Sequence, residues 1–408
     1  MLKRGKMADP VLINILYIVI LLVIGLVGSI ISRRLKIPNL IILIGIGMAI
    51  GYLTYQGQPV IQFSPTFLTS LAIITLALVV FDSSSQFRFR KFDTMSVSAL
   101  KLSIIFILIN IIFLSAATFY IFRPASIILA VIFAAVVSGT DPSSTLMILA
   151  GARSKLFELL KIEAILNTPL IVLIPFLLVD ILGESAGEST LALISKQLLP
   201  FTQLFVVGIG TGILVGLIFF RFMKKYYSAT LSPLAFIVVA LLAYAGAELL
   251  GGNGVLSATA AGLLFGNLYH IKHMKTLLKF GEIFSEVFEI LVFVLVGTII
   301  KIPWTKEFLL PATLLFAVYL IFRFLSVEIS FLRSDYTLKE KLYMTLNIPK
   351  GIAVAVVVFT LATRSIAGIK PILDLILLFL IYTIILSTIV THFSKFFTKV
   401  DIKISEEQ

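Results

Sequence analysis

A carboxylate, several hydroxyls and a proline interrupt one of the most apolar stretches of the chain. Residues Ser138-Gly139-Thr140-Asp141-Pro142-Ser143-Ser144-Thr145 follow the wholly apolar run 127–133 and precede the apolar run 146–150. Pro142 has no amide hydrogen and disfavours a helical conformation at Asp141. A helix entering this stretch should break there. The break leaves backbone groups unpaired beside the Asp141 carboxylate and the hydroxyls of Thr140 and Ser144. In hydrocarbon this is tolerated only where the break is buried in protein or lines a wet cavity. An acid at such a place marks a functional site by default. The plainer expectation is a kinked helix whose Asp141 caps its second half, and both expectations can hold together.

A second interruption, Asn347-Ile348-Pro349-Lys350-Gly351, also has apolar residues on both sides. It carries a base where the first carries an acid. Asp141 can therefore neutralise helix N-termini and Lys350 helix C-termini. Glu163 and Asn167 are four residues apart and share a helix face; Thr168 and Pro169 follow, and Pro169 frees a carbonyl about one turn earlier. The alternative for Glu163 is a solvated position beside Lys161 at the end of its span. Asp82 lies several residues before a basic loop, either pointing inward as a second carboxylate or pairing at the interface with Arg88 or Arg90. Arg323 and Lys350 are bases in mid-span, and buried bases need acids. Asp82, Asp141 and Glu163 are the acids at hand. Glu248 is another, and Glu282, Glu286 and Glu289 read as a solvated face at the entry of a helix. His270 and His273 have no third ligand in view and read as interfacial residues, since zinc needs three or four ligands.

The elements that must position these residues are membrane spans. The 408-residue chain is 59% hydrophobic and 13% charged, about half the charged fraction of a soluble domain. It has no Cys, which excludes disulfides and thiolate metal sites. About thirteen spans fit the roughly 20-residue requirement of a bilayer: near 11–31, 38–55, 66–82, 97–121, 125–150, 158–183, 197–222, 232–250, 254–270, 283–301, 308–330, 340–363 and 371–393. The net charge of +12 does not call for a nucleic-acid partner, because the basic residues lie in short loops. The loops holding Arg33–Lys36, Arg88–Lys91, Arg153–Lys155, Arg221–Lys225, Lys272–Lys279 and Arg333–Lys341, with the tail, form one basic set. The positive-inside rule makes that set cytoplasmic, which puts the N-terminus outside and the C-terminus inside. Residues 394–408 read as a short cytoplasmic tail. Gly47-x3-Gly51 and Gly208-x3-Gly212-x3-Gly216 allow close helix packing. The two interruptions are 350 − 141 = 209 residues apart, about half the chain, and fall in the fifth and twelfth spans, an offset of seven. Corresponding helices then run in opposite directions. Paired broken helices in two inverted halves point to a transporter site at the bilayer midplane. There is no P-loop, Gly-rich dinucleotide fingerprint or nucleophile elbow, so neither enzymatic chemistry nor ATP-driven transport by this chain alone is expected.

These residues together resemble the monovalent cation:proton antiporters of the NhaP/NHE type, which share the NhaA-like fold. Thr140-Asp141-Pro142 resembles that family's Thr-Asp-Pro, Phe81-Asp82 its Phe-Glu, Glu163-x3-Asn167 its Glu-Ser-x-x-Asn-Asp, and Pro349-Lys350-Gly351 its Pro-Arg-Gly. Arg323 resembles a family Arg. The run Ala243-Tyr244…Glu248…Gly251-Gly252-Asn253-Gly254…Gly262…Gly266-Asn267 resembles its ninth-helix region. The resemblance implies an all-α polytopic protein with two inverted repeats. It also implies a homodimer, a dimerisation scaffold near 11–55 and 197–270, and a core near 66–183 and 283–393 that moves as an elevator. Four positions depart from the family pattern, the mildest being Asp82, one methylene shorter than the usual Glu. Thr168 stands where the family has the Asp that binds the cation and the proton in turn, and a hydroxyl does not titrate near neutral pH. Pro169 replaces Gly. Lys350 replaces Arg, and lysine, unlike arginine, can lose its charge on burial.

The function so implied is exchange of a monovalent cation, Na⁺ ahead of K⁺ or Li⁺, for protons. A carboxylate in low dielectric can hold either ion, because burial favours the protonated form and the cation competes with the proton. Asp141, with Asp82, is then the titrating group. Thr140, Ser144, Asn167 and Thr168 supply oxygen ligands; Asp141 and Thr168 contact the cation. Glu163, Lys350 and Arg323 form a structural ion cluster. No resident cofactor is expected, and lipid is the surrounding partner. Two other expectations remain: a carrier or channel without proton coupling, for an ion or another solute, and a membrane sensor or scaffold that keeps the fold.

Overall fold

The computed structural model describes residues 10–35, 39–55, 58–59, 61, 63–87, 94–140, 155–184, 190–225, 231–268, 274–299, 302–362, 364 and 366–397. Eight helices among them are long and apolar enough to cross a membrane, and four shorter apolar helices accompany them. In chain order the helices are α1 (Pro10–Leu35), α2 (Asn39–Gly51), α3 (Pro65–Ser85), α4 (Thr94–Ile109), α5 (Ser115–Phe122), α6 (Ile127–Val137), α7 (Lys155–Glu184), α8 (Thr190–Lys225), α9 (Leu231–Leu249), α10 (Gly254–Leu268), α11 (Met274–Ile299), α12 (Lys306–Ser330), α13 (Leu338–Leu346), α14 (Ile352–Ala362), α15 (Lys370–His392) and α16 (Ser394–Phe397). A π-helical turn, Asn110–Leu114, joins α4 to α5 within one span. The only strand pairing among the described residues is two residues long, Thr54–Tyr55 against Gln58–Pro59.

The described residues are almost wholly helical, and two sets of helices follow a similar order along the chain. The first set is α3, α4–α5, α6 and α7; the second is α11, α12, α13–α14 and α15. Of the remaining helices, α2 packs on α11, α9 and α10 pack on α3, and α8 packs on α9 and α10. Close approach at the seams depends on glycine. A Cβ built on Gly47 of α2 would stand 2.8 Å from Cα of Gly297 in α11. One built on Gly262 of α10 would stand 2.9 Å from Cβ of Ser84 in α3. Small residues at such contacts let backbones pack without side chains between them.

The first break is visible up to Thr140. Ser126 caps α6, its hydroxyl accepting from the Ile128 amide at 3.2 Å. At the other end the amides of Ser138 and Gly139 reach back only three residues, to Ala135 O and Val136 O. The last turn is thus tightened before the chain leaves the helix. Gly139 is needed here, because a Cβ would collide with the Ile171 side chain of α7. The second break is complete. Thr337 and Glu340 form a reciprocal capping box at the start of α13, the helix stops at Asn347, and α14 restarts at Ile352. The groups freed between them are met by α15: the Ile348 amide donates to Ser387 Oγ at 3.1 Å, and Asn347 Nδ2 donates to Thr391 Oγ1 at 3.3 Å.

One expectation needs correction. Glu286 is exposed, but Glu289 is buried. Glu289 lies on the face of α11 that also carries Gly281 and Ser285, at successive steps of four, and that face packs inward. The expected histidine positions 270 and 273 lie outside the described residues.

Candidate functional site

Lys350 of the second break meets the end of α6, and the chemistry is concentrated between α6, α7, α12 and α14. Glu163 of α7 and Arg323 of α12 are both fully buried. Their contact is bidentate, with Arg323 Nη1 donating to Glu163 Oε1 at 2.5 Å and Nη2 to Oε2 at 2.8 Å. Fork-to-fork geometry is the strong form of this bond. It rules out the solvated position weighed for Glu163. The Arg323 guanidinium also stacks over Phe106 at 4.6 Å.

Lys350 has different direct partners from those of Glu163. Its ammonium donates to the carbonyls of Val137 and Gly139 and to the Tyr319 hydroxyl. An ammonium has three donors and no acceptor, and here three oxygens meet them. Two of those oxygens are orphan carbonyls at the C-terminal end of α6, where the helix dipole favours a cation. Each member of the expected cluster is thus buried, but the cluster divides into a carboxylate–guanidinium pair and a capped helix end.

The polar residues next to the first break are joined. Asn167 Nδ2 donates to Thr140 Oγ1 at 2.8 Å, and the Thr140 amide donates to Asn167 Oδ1 at 3.4 Å. Thr140 and Asn167 are buried. Thr168 follows Asn167 directly on α7, with its hydroxyl proton directed at the Ala164 carbonyl at 2.7 Å. That leaves the lone pairs of Thr168 Oγ1 as acceptors. Thr168 lines a small cavity with Ser83, Ser84, Ile165, Ile352 and Ala353, with room for about one water. Asp82 is buried one residue from that cavity wall. Its Oδ2 accepts from Gln86 Nε2 at 3.2 Å, and its Oδ1 lies near Gly281 of α11, where a Cβ would meet both it and the Phe236 ring. Asp141 and Ser144 lie outside the described residues, as do Arg88 and Arg90. Glu248 is exposed and caps the turn into α10 by accepting from the Gly254 amide at 2.8 Å, so it is not an acid for the mid-span bases.

Two buried polar residues of this region escaped sequence reasoning. Tyr319 lies one turn before Arg323 and meets Lys350. Asn110 donates to Ser138 Oγ at 2.9 Å. For Asn110 the signal was present, as one amide inside the apolar run Ile104–Leu114.

Comparison with known proteins agrees with this architecture. The sodium/hydrogen exchanger transmembrane family model matches residues 18–397. The chain belongs to that family. Among curated proteins it is 25% identical to the probable Na(+)/H(+) antiporter 2 of Methanocaldococcus jannaschii, over 91% of this chain and 93% of the relative. It is 23% identical to the K(+)/H(+) antiporter NhaP of Alkalimonas amylolytica, over 83% of this chain and 58% of that protein. Among solved structures, the sodium proton antiporter MjNhaP1 from M. jannaschii at pH 8 superposes with a TM-score of 0.80 at 19% identity, covering 95% of this chain and 98% of that one. This family member therefore has the antiporter fold and is a multi-pass membrane protein.

Proposed function

We propose that the protein exchanges a monovalent cation, Na⁺ or K⁺, for protons. Its family membership and relatives named as Na(+)/H(+) and K(+)/H(+) antiporters support the class of reaction. The observation that carries the reading is the buried Thr140–Asn167 pair, which ties α7 to the residue immediately before Asp141. In this reading Asp141 is the carboxylate that holds either ion. Thr140, Asn167, Thr168 and Ser144 are hard oxygen ligands, with Asp82 as a second acid. Oxygen donors of this kind suit alkali cations. Thr168, with its proton already given to Ala164 O, is well suited to present its oxygen to a cation. The Glu163–Arg323 pair is structural. Transport proceeds by an elevator motion of the two repeats against α1, α2 and α8 to α10 in a homodimer.

The test is a proteoliposome assay with an imposed pH gradient and an internal proton-sensing dye. Pulses of Na⁺, K⁺ or Li⁺ dequench the dye with the wild type, chloride does not, and Asp141→Asn abolishes the response. An Asp141→Asn protein exchanging at the wild-type rate overturns the assignment of Asp141. A second reading, ion movement without proton coupling, is favoured by one observation: a hydroxyl stands at Thr168, where the resemblance places an ionisable acid. Uptake of labelled ion with no proton movement supports that reading. Silence in both assays supports a role other than transport.

A further inference from the structure

Residues 137–140, the end of α6, are held by side chains from three separate spans. Lys350 takes the carbonyls of Val137 and Gly139. Asn167 takes Thr140. Asn110 takes Ser138. The first two belong to the site already described; the third does not. Asn110 lies on the α4–α5 span and is fully buried. Ser138 directs its one hydroxyl proton to the Ala134 carbonyl at 2.6 Å, so the Asn110 amide must donate and Ser138 Oγ accept.

Three further features separate Asn110 from an ordinary packed residue. First, it begins the π-turn Asn110–Leu114, where the Ser115 amide bonds to the Asn110 carbonyl five residues back. Such turns insert an extra residue and redirect the side chains around them, and they are frequent at functional sites. Second, its Oδ1 is buried with no donor among the described residues. An acceptor left in that state costs free energy, and an apolar residue would avoid the cost. Third, Asn110 and Tyr319 stand 319 − 110 = 209 residues apart, the same spacing as the two breaks. Each lies on the second span of its repeat, and each reaches a break, Tyr319 through Lys350.

We propose that Asn110 is a positioning residue for cation binding: through Ser138 it sets the placement of Thr140 and hence the geometry of the oxygen ligands. This inference rests on the exchange reading above and adds a residue from a span that reading does not use. The prediction is specific to affinity. Asn110→Ala raises the apparent KM for the cation at least five-fold in the dequenching assay, with little change in maximal rate and no loss of melting temperature in detergent. Ser138→Ala, which removes the other end of the bond, gives the same KM rise, and the double variant is no worse than either single one.

The experiment measures KM and maximal rate for wild type, Asn110→Ala, Ser138→Ala and the double variant in proteoliposomes. Detergent melting of each is followed with and without Na⁺ or K⁺. The expected result is a raised KM together with a weaker cation-induced rise in melting temperature. A wild-type KM in Asn110→Ala overturns the inference, as does a drop in melting temperature with KM unchanged, which marks plain packing. A wild type that neither exchanges nor melts higher with any cation overturns the exchange reading and this inference with it.

Discussion

The partners of the buried charges decide what each residue contributes. Glu163 and Arg323 satisfy each other through two parallel bonds without exposure to solvent. Removing one partner strands a charge, which costs about 3–5 kcal/mol, whereas replacing both with apolar residues of similar volume is often neutral. Arg323→Leu should therefore unfold several degrees below wild type in detergent, and Glu163→Leu combined with Arg323→Leu should recover most of the loss. Intrinsic fluorescence melting checks both; a double variant less stable than Arg323→Leu alone would sink the argument. Sequence marked Arg323 and Lys350 as buried charges, because bases in mid-span have few alternatives, but it left Glu163 and Asp82 open and read the buried Glu289 as solvated. It did not show how Lys350 and Arg323 divide their partners. That division follows from carbonyls at the end of α6, and backbone groups carry no sequence mark. Asp82 and Thr168 illustrate the same limit. Both were legible as polar residues in apolar spans, but the hydroxyl orientation of Thr168 towards Ala164 depends on the local turn of α7.

At the level of elements, the spans were legible because hydropathy and length are stringent requirements in a bilayer. Both interruptions were legible from proline. The π-turn at Asn110–Leu114 was not, since Asn-Ile-Ile-Phe-Leu contains no proline or glycine to announce it. The seams between the repeats and the surrounding helices rest on glycine. Gly262 lies against the Phe81 carbonyl and the Ser84 side chain. Gly47 lies against α11. A side chain at either position overpacks a contact made by backbone, and such insertions typically cost about 1–3 kcal/mol. Gly262→Leu should lower the detergent melting temperature and slow exchange, while Gly45→Leu, with open space around it, should leave both near wild type. Equal losses at the two glycines, measured side by side, would show that the seam is not what the glycine serves.

For the whole molecule, the distribution of basic loops implies an outside N-terminus and an inside C-terminus. Because the chain lacks Cys, introduced thiols can report this directly. Ser405→Cys should react with an impermeant maleimide only from the cytoplasmic side, and Ser185→Cys in the acidic loop only from outside; the reverse pattern would invert the topology. The capped end of α6 has a mechanical consequence for any such molecule that must change shape to work. Lys350 belongs to the second repeat, and the Val137 and Gly139 carbonyls belong to the first. The ammonium is a rivet through both. Separating Lys350 from the end of α6 would strip a fully buried amino group of its oxygen partners, a larger penalty than shifting apolar surfaces elsewhere. The end of α6 and the Lys350 segment are thus tied more firmly to each other than the repeats are to α2 and α10 at the glycine seams.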